Sequence, residues 1–260
     1  MRPHTLARAD RWLAARSMRR PMRLDRPQGV VTFTFDDAPK SACVTGASIL
    51  ARHGCKGTWY VAGGLTHQLE LGRPCHSVAD IQMLMASGHH IGCHTFSHRP
   101  LPQLARAEVQ AEMARNAAFL QELGLDPAHL HFAYPLGEFD WTSKRLATQQ
   151  YQSVRVTGGG LQVGQADLHA LRSERLYQNA ISDEQVHALA LATARSRGWL
   201  IFYTHDVEPE PSPYGCKPDL LDLAIDAALE AGCLVLPIDE AIRYWAEAGT
   251  AAAQIRAAAR

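Results

Sequence analysis

The 260-residue chain lacks net charge: 26 Lys and Arg stand against 26 Asp and Glu. With no global field, the composition argues for neither nucleic acid nor an acidic membrane as partner. No apolar run approaches the roughly 18–20 residues of a membrane span. The six cysteines, Cys43, Cys55, Cys75, Cys93, Cys216 and Cys233, form no C-x-x-C pair. That spacing offers neither a zinc knuckle nor a dithiol motif, and free thiols are expected. No G-x-G-x-x-G follows the first apolar run, which removes the fingerprint of dinucleotide binding. Repeats, low-complexity tracts and interior linkers are absent too, so a single domain is the economical reading. Its 47% hydrophobic and 20% charged residues suit an ordinary globular core.

Charge is uneven only at the start. Arg2, Arg8, Arg11, Arg16, Arg19, Arg20, Arg23 and Arg26 face Asp10 and Asp25 alone, and residues 1–27 read as a basic, solvated extension. An anionic partner or membrane surface is the rival reading of this run. No apolar segment follows these arginines as a secretory leader requires, so the expected location is cytoplasmic, with peripheral membrane contact as the variant.

Apolar strand-like runs recur with helical stretches between them. Strands are expected at 30–35, 56–62, 90–94, 129–134, 153–157, 170–176, 199–204 and 234–237. Helices are expected at 41–53, 78–87, 102–123, 183–197 and 219–231, with Gly88, Gly124 and Gly232 as stops. Apolar strands alternating with helices imply a parallel sheet covered by helices. Seven or eight such units predict a distorted (β/α)7–8 barrel over residues 28–245. An Ala-rich helix over 246–260 completes the chain.

In such barrels chemistry gathers where strands end. Asp36 and Asp37 follow the first strand, His94 the third, Tyr134-Pro135 the fourth, and His205 the apolar run 199–204. Adjacent carboxylates leaving a strand diverge, so one can hold a cation while its neighbour accepts a proton. His94 and His98, four residues apart, bring two imidazoles toward one ion. His205 can donate a proton to a leaving group. By strand alternation Cys93 points away from His94 and reads as a buried thiol. Each feature has a bland counterpart: a helix-capping Asp-Asp turn, chance pairs among thirteen histidines, a strand-end His205 bonded to Asp206. Their convergence on one rim favours chemistry. Beside His205, the Pro-rich segment 206–218 suits a groove wall, and Tyr214 could stack on what that groove holds or anchor its loop.

These residues resemble the motifs of the polysaccharide deacetylase family, the NodB-like carbohydrate esterase family four. Thr34-Phe35-Asp36-Asp37 is similar to its first motif, His94-Thr95-Phe96-Ser97-His98 to its second, Phe132-Ala133-Tyr134-Pro135-Leu136-Gly137 to its third and Ile201-Phe202-Tyr203-Thr204-His205 to its fifth. The resemblance spans about residues 30–238. It implies a single-domain NodB-type barrel and a Zn2+ site of Asp37, His94 and His98, with Co2+, Ni2+ or Mn2+ as alternatives. It further implies Asp36 as base, His205 as acid, and Tyr134, Pro135 and Leu136 as a groove wall whose Leu136 N–H meets the oxyanion. The implied reaction removes N-acetyl groups from an acetamido sugar, including lipid- or nucleotide-linked forms. The alternative is another C–N amide, such as a cyclic imide or a small acylated metabolite. Two departures stand out: Ala133 occupies the place of an Arg that pairs with the catalytic Asp, and no fourth motif is evident. Arg172 and Arg175 are the candidates to replace that guanidinium, and Asp206, next to His205, is a further candidate site residue.

Overall fold

The computed structural model describes residues 13, 14 and 16–247. Seven parallel strands carry the fold: β1 (Val30–Asp36), β2 (Thr58–Val61), β3 (His90–Cys93), β4 (Phe132–Ala133), β5 (Val154–Thr157), β6 (Leu171–Arg175) and β7 (Trp199–Thr204). Each pairs with the next, and β7 returns to β1 in register from Trp199↔Val30 to Thr204↔Phe35, closing the barrel. An eighth strand, β8 (Leu234–Val235), pairs with β1 only at Val30 and Val31. Farther along β1, from Thr34 to Asp36, that edge belongs to β2. β8 is therefore a short wedge at the amino end of a seven-stranded barrel.

All seven residues of β1 are buried, as expected of a strand covered on both faces. Val31, Phe33 and Phe35 point outward into the main core under the helices. Thr32 and Thr34 point inward, where they bond Trp199 Nε1 (2.9 Å) and the Phe202 carbonyl (2.8 Å). The same parity sends Asp36 into the barrel mouth. The barrel floor is a second cluster in which Leu24, Ile238, Ala241 and Trp245 pack on Val30, Trp199 and Ile201.

Among the described residues, these helices wrap the outside: α1 (Ala47–Arg52), α2 (Val78–Ala86), α3 (Arg106–Glu122), α4 (Trp141–Gln150), α5 (Asp183–Ser196) and α6 (Pro218–Glu230). Capping boxes at Ser77/Asp80 and Ser182/Gln185 start α2 and α5. α4, with Asp140 as its cap, is absent from the sequence expectation. Its buried stripe contains Ser143 and Lys144 beside Leu146 and Ala147, so the apolar period is masked. The β5–β6 connection itself contains no helix. There the chain descends through Gly158–Gly160, bridges Gln162 to Trp199, and forms a ribbon in which Gln165–Asp167 pairs with Pro21–Arg23.

This ribbon corrects the expected extension. Residues 21–24 belong to the barrel, and several arginines of the basic run hold the segment down. Arg19 reaches Asp167 (3.5 Å), Arg20 the Gln152 carbonyl (3.2 Å) and Arg26 Glu247 (3.6 Å). Residues 1–12 and most of the expected 246–260 helix lie outside the described residues; residues 238–247 are helical. All six cysteines are buried and free. Among the described residues no helix is long and apolar enough to cross a membrane.

Candidate active site

Asp37 leaves β1 at φ 61°, and Ala38 follows at φ 49°. This left-handed pair is sparsely populated for residues with a Cβ and turns the two carboxylates apart. His76, fully buried, braces the turn: its Nδ1 lies 3.1 and 3.2 Å from the Asp37 and Ala38 carbonyls, and its Nε2 3.1 Å from Thr66 Oγ1. No motif signals His76.

A second strained turn follows β3, with Thr95 at φ 62° and His98 at φ 52°. It is gripped by one face of α3. Glu112 accepts the backbone N–H groups of Phe96 (3.2 Å) and Ser97 (2.7 Å). The Arg115 guanidinium lies 3.7 Å from the Phe96 ring centroid. Asn116 joins the neighbouring strand ends, donating to the Val61 carbonyl (2.9 Å) and Cys93 Sγ (3.0 Å) and accepting from Gly63 N–H (2.8 Å). Cys93 is thus the buried thiol that alternation predicts, though a hydrogen-bonded one.

These turns bring ligand atoms of Asp37, His94 and His98 within 4.8 Å of one another. Asp37 Oδ1 lies 3.6 Å from His94 Nε2 and 3.1 Å from His98 Nε2. His94 Nδ1–H donates to the Ala133 carbonyl (2.7 Å), which leaves a lone pair on Nε2 facing Asp37. Asp37 Oδ1 is buried with no hydrogen-bond partner. Converging ligand atoms around a carboxylate oxygen that makes no hydrogen bond fit a cation. The two distances to Asp37 Oδ1 lie near the about 3.3 Å that separates donors held about 2.0–2.1 Å from a tetrahedral zinc. Burial pushes the Asp37 carboxyl up to about 7 and the His94 imidazole down to about 3, and lowers His98. The uncharged forms that burial favours give way to a carboxylate and two neutral imidazoles once a divalent charge is present.

Asp36, the neighbouring carboxylate, has one oxygen engaged. Its Oδ2 accepts from Arg155 Nη2 at 2.5 Å, whereas its Oδ1 is buried without a partner. Burial alone would raise this carboxyl. Arg155 outweighs burial, with His94 and His205 adding to it, and holds the group below its usual range. Arg155 itself is 1% exposed, bonds Ser173 Oγ (2.9 Å) and lies over the rings of Tyr60 and Tyr203.

His205 borders the same centre. Its Nε2 is 3.7 Å from Asp37 Oδ2 and its Nδ1 is 3.2 Å from the Tyr214 carbonyl. Its side chain is 19% exposed, against 1–8% for those of Asp36, Asp37, His94 and His98, so solvent reaches the centre beside it. Tyr214, at the rim, sits 5.8 Å ring to ring from His205.

Five expected residues lie away from the centre. Arg172 points outward from β6, Arg175 stands at that strand's exposed end, and neither pairs with Asp36. The guanidinium comes from Arg155 on β5, the residue in register with Ala133 of β4. Asp206 turns away from His205, accepts from Ser212 N–H (2.6 Å) and Oγ (2.5 Å), and meets Arg73 (3.2 Å). Tyr134 lies in the core, stacked on Phe139, and Pro135 is buried. Of that segment only Leu136 emerges, 62% exposed at φ 56°. The overlooked signal for Arg155 is a single arginine inside a β-branched strand, a residue type buried almost solely when paired.

A sequence model of the polysaccharide deacetylase family matches residues 23–154, about half of the chain. That span includes Asp36, Asp37, His94 and His98; Arg155 and His205 lie beyond it. A chitin deacetylase from Arthroderma benhamiae is 28% identical over 131 residues, 48% of this chain and 33% of that protein. The aligned part is thus about a third of this relative's length. Among solved structures, the chitin deacetylase of Colletotrichum lindemuthianum superposes with a TM-score of 0.60 at 19% identity, over 84% of this chain and 89% of its own. A family 4 acetyl xylan esterase from Clostridium thermocellum, in complex with a cobalt ion, gives 0.56 at 24% identity, over 81% and 89%. A family 4 carbohydrate esterase from Streptomyces lividans, in complex with acetate, gives 0.58 at 18%, over 81% and 93%. At these identities the solved structures establish a shared fold.

Proposed function

This chain belongs to the polysaccharide deacetylase family, and on that premise we propose that it is a metal-dependent hydrolase that removes N-acetyl groups from an acetamido sugar. One observation carries the reading. Three donor atoms from Asp37, His94 and His98 converge beside a carboxylate, Asp36, that keeps one oxygen free.

Asp37, His94 and His98 would hold the ion, Zn2+ or another divalent metal of similar ligand preference. Such an ion supplies Lewis-acid polarisation of the acyl carbonyl and acidifies water beside it. Asp36 takes the proton of the attacking water on Oδ1, because Arg155 occupies Oδ2. Arg155 keeps Asp36 ionised and fixes its plane. The Leu136 N–H is the candidate donor to the oxyanion, a contact commonly worth about 3 kcal/mol. His205, oriented through Nδ1 by the Tyr214 carbonyl, delivers a proton from Nε2 to the departing amine, which is too basic to leave unassisted. The products are acetate and an amino sugar. The chemistry of the C–N bond fixes that balance: water adds across it, with hydroxide to the acyl carbon and a proton to nitrogen.

The reading is tested with Asp36→Asn, measuring bound metal beside acetate release from N-acetylglucosamine oligomers. Retained metal with turnover reduced about 10³-fold fits the base assignment. Undiminished turnover rejects it.

A further inference from the structure

Between β2 and α2 the chain makes an excursion over residues 66–77. Its tip is a hairpin in which Leu69–Glu70 pairs with Arg73–Pro74. Leu71 at φ 52° and Gly72 at φ 76° make the turn, the two positive φ values that a type I′ loop requires. Two backbone bonds close the base: Cys75 N–H donates to the Gln68 carbonyl (2.9 Å) and His67 N–H to the His76 carbonyl (2.9 Å). His76 N–H in turn donates to the Ala38 carbonyl (3.1 Å), so the hairpin stands on the turn that presents Asp37.

Apolar burial does not hold the tip in place, since Leu69 and Leu71 are 66% and 58% exposed. The tip is tied down by polar contacts from its cross-strand pair. Glu70 and Arg73 stand opposite each other in register, a placing in which opposite charges ordinarily meet. They turn apart instead. Arg73 reaches the segment after β7, where its Nε meets Glu208 and lies 3.2 Å from Asp206 Oδ2, and its Nη2 donates to the Glu210 carbonyl (2.8 Å). Glu70 faces the metal-ligand candidates, with Oε1 3.7 Å from His98 Nδ1.

That nitrogen is the one His98 keeps free of Asp37, whose Oδ1 lies 3.1 Å from Nε2 of the same ring. An imidazole that gives Nε2 to a cation carries its proton on Nδ1. His94 places that proton on a backbone carbonyl, that of Ala133. His98 has a carboxylate facing it. A carboxylate partner fixes the plane of a ligand imidazole and makes the ring a stronger donor to the ion. Glu70 also lies near enough to Asp37 for their negative charges to repel, and a divalent cation answers both. At 3.7 Å the contact with His98 has the length of an ion pair and exceeds that of a hydrogen bond. The Glu70 side chain is 35% exposed and has room to turn onto the ring.

We propose that Glu70 is a positioning residue of the metal site: it accepts the Nδ1–H of His98 when Nε2 holds the ion, and the Arg73 contacts keep it within reach. The proposal rests on the metal-dependent reading of Asp37, His94 and His98, to which it adds one outer carboxylate.

The test is zinc affinity of the full chain and its variants, measured by competition with a chromogenic chelator. Glu70→Ala should weaken zinc binding about 10–100-fold, and Glu70→Gln, which keeps an acceptor without the charge, should fall between. The metal-free Tm should be the same in all three, because a side chain at an exposed hairpin tip has little part in the core. In the zinc-loaded parent, 1H–15N NMR should show a His98 Nδ1–H signal protected from solvent exchange. In Glu70→Ala that signal should broaden as the proton meets water. Arg73→Ala should weaken zinc binding less than Glu70→Ala does, and the double variant no more than Glu70→Ala alone.

Equal zinc affinity in the parent and Glu70→Ala overturns the proposal. So does a fall in metal-free Tm that accompanies the loss of affinity, which would make Glu70 a contact of the fold, and so does an unchanged Nδ1–H signal. Losses that add in the double variant overturn the part given to Arg73. A parent that takes up no zinc would instead sink the metal-dependent reading, an outcome distinct from a parent that binds zinc regardless of residue 70.

Discussion

Arg155 and Asp36 form a fully buried ion pair, 2.5 Å between Nη2 and Oδ2, with the arginine on the strand next to the one where the family motif places it. A guanidinium is long enough to serve the same carboxylate from the adjacent strand, because Ala133 and Arg155 sit opposite each other in register. Ala133 leaves the space that a larger side chain would fill.

Removing one partner of this pair should cost stability as well as activity. Arg155→Met leaves Asp36 as an unpaired buried charge, a loss of about 3–5 kcal/mol, and raises its carboxyl toward protonation. The double variant Asp36→Asn/Arg155→Met removes both charges and should recover most of that stability while remaining inactive. Urea melts of the two single variants and the double decide the point, and a loss in the double equal to the sum of the two single losses would mean the pair is not coupled.

Metal removal should destabilise the protein. Asp37, His94 and His98 are arranged in the folded chain only, so bound ion adds stability by mass action, about 2.7 kcal/mol at a free concentration one hundred times Kd. Chelator should lower Tm, and zinc or cobalt should restore it. In His98→Ala neither addition should move Tm.

The α3 contacts should control metal affinity without touching the ion. Glu112→Ala frees the Phe96 and Ser97 N–H groups and loosens the left-handed turn that carries His98. Outer contacts of this kind are commonly worth 10–100-fold in affinity. Competition against a chromogenic chelator should show that loss, with Glu112→Gln, which keeps an acceptor, in between.

Acid should weaken the fold through His89. Burial holds its imidazole down to about 4, against 6.5 when exposed, with Nδ1 accepting from the Gly57 N–H (3.2 Å) and the ring packed on Trp59. Between about pH 6.5 and 4 the unfolded chain takes up a proton that the native chain refuses. Stability therefore falls as pH drops through that window, by about 3 kcal/mol from this residue. His89→Gln should flatten the dependence measured by denaturant titration at pH 7 and pH 4.5. An unchanged slope would assign the acid sensitivity elsewhere, for example to His131, whose buried imidazole is also held well below its usual range.

The barrel and its metal-ligand candidates are legible in the sequence because they follow from period. Strands buried on both faces read as unbroken apolar runs, and Asp36, Asp37, His94 and His205 are where those runs stop. What escapes is what depends on neighbours in space. Arg155 sits mid-strand, so no strand-end rule finds it, and its meaning appears only through the register with Ala133. His76 and Glu112 serve backbone groups far along the chain, and backbone partners leave no mark on composition. Tyr134 belongs to a motif yet its ring faces the core, because adjacent residues at a strand end diverge.

Closure of the ring by β7 against β1 joins residues 199–204 to residues 30–35, far apart along the chain. A product ending after β5 would contain every metal-ligand candidate but not His205, and would leave the edge of β1 from Val30 to Phe35 without its hydrogen-bonding neighbour. An exposed, aromatic and β-branched border of that kind invites pairing between molecules. Premature termination should therefore yield aggregates before it yields a metal-loaded fragment.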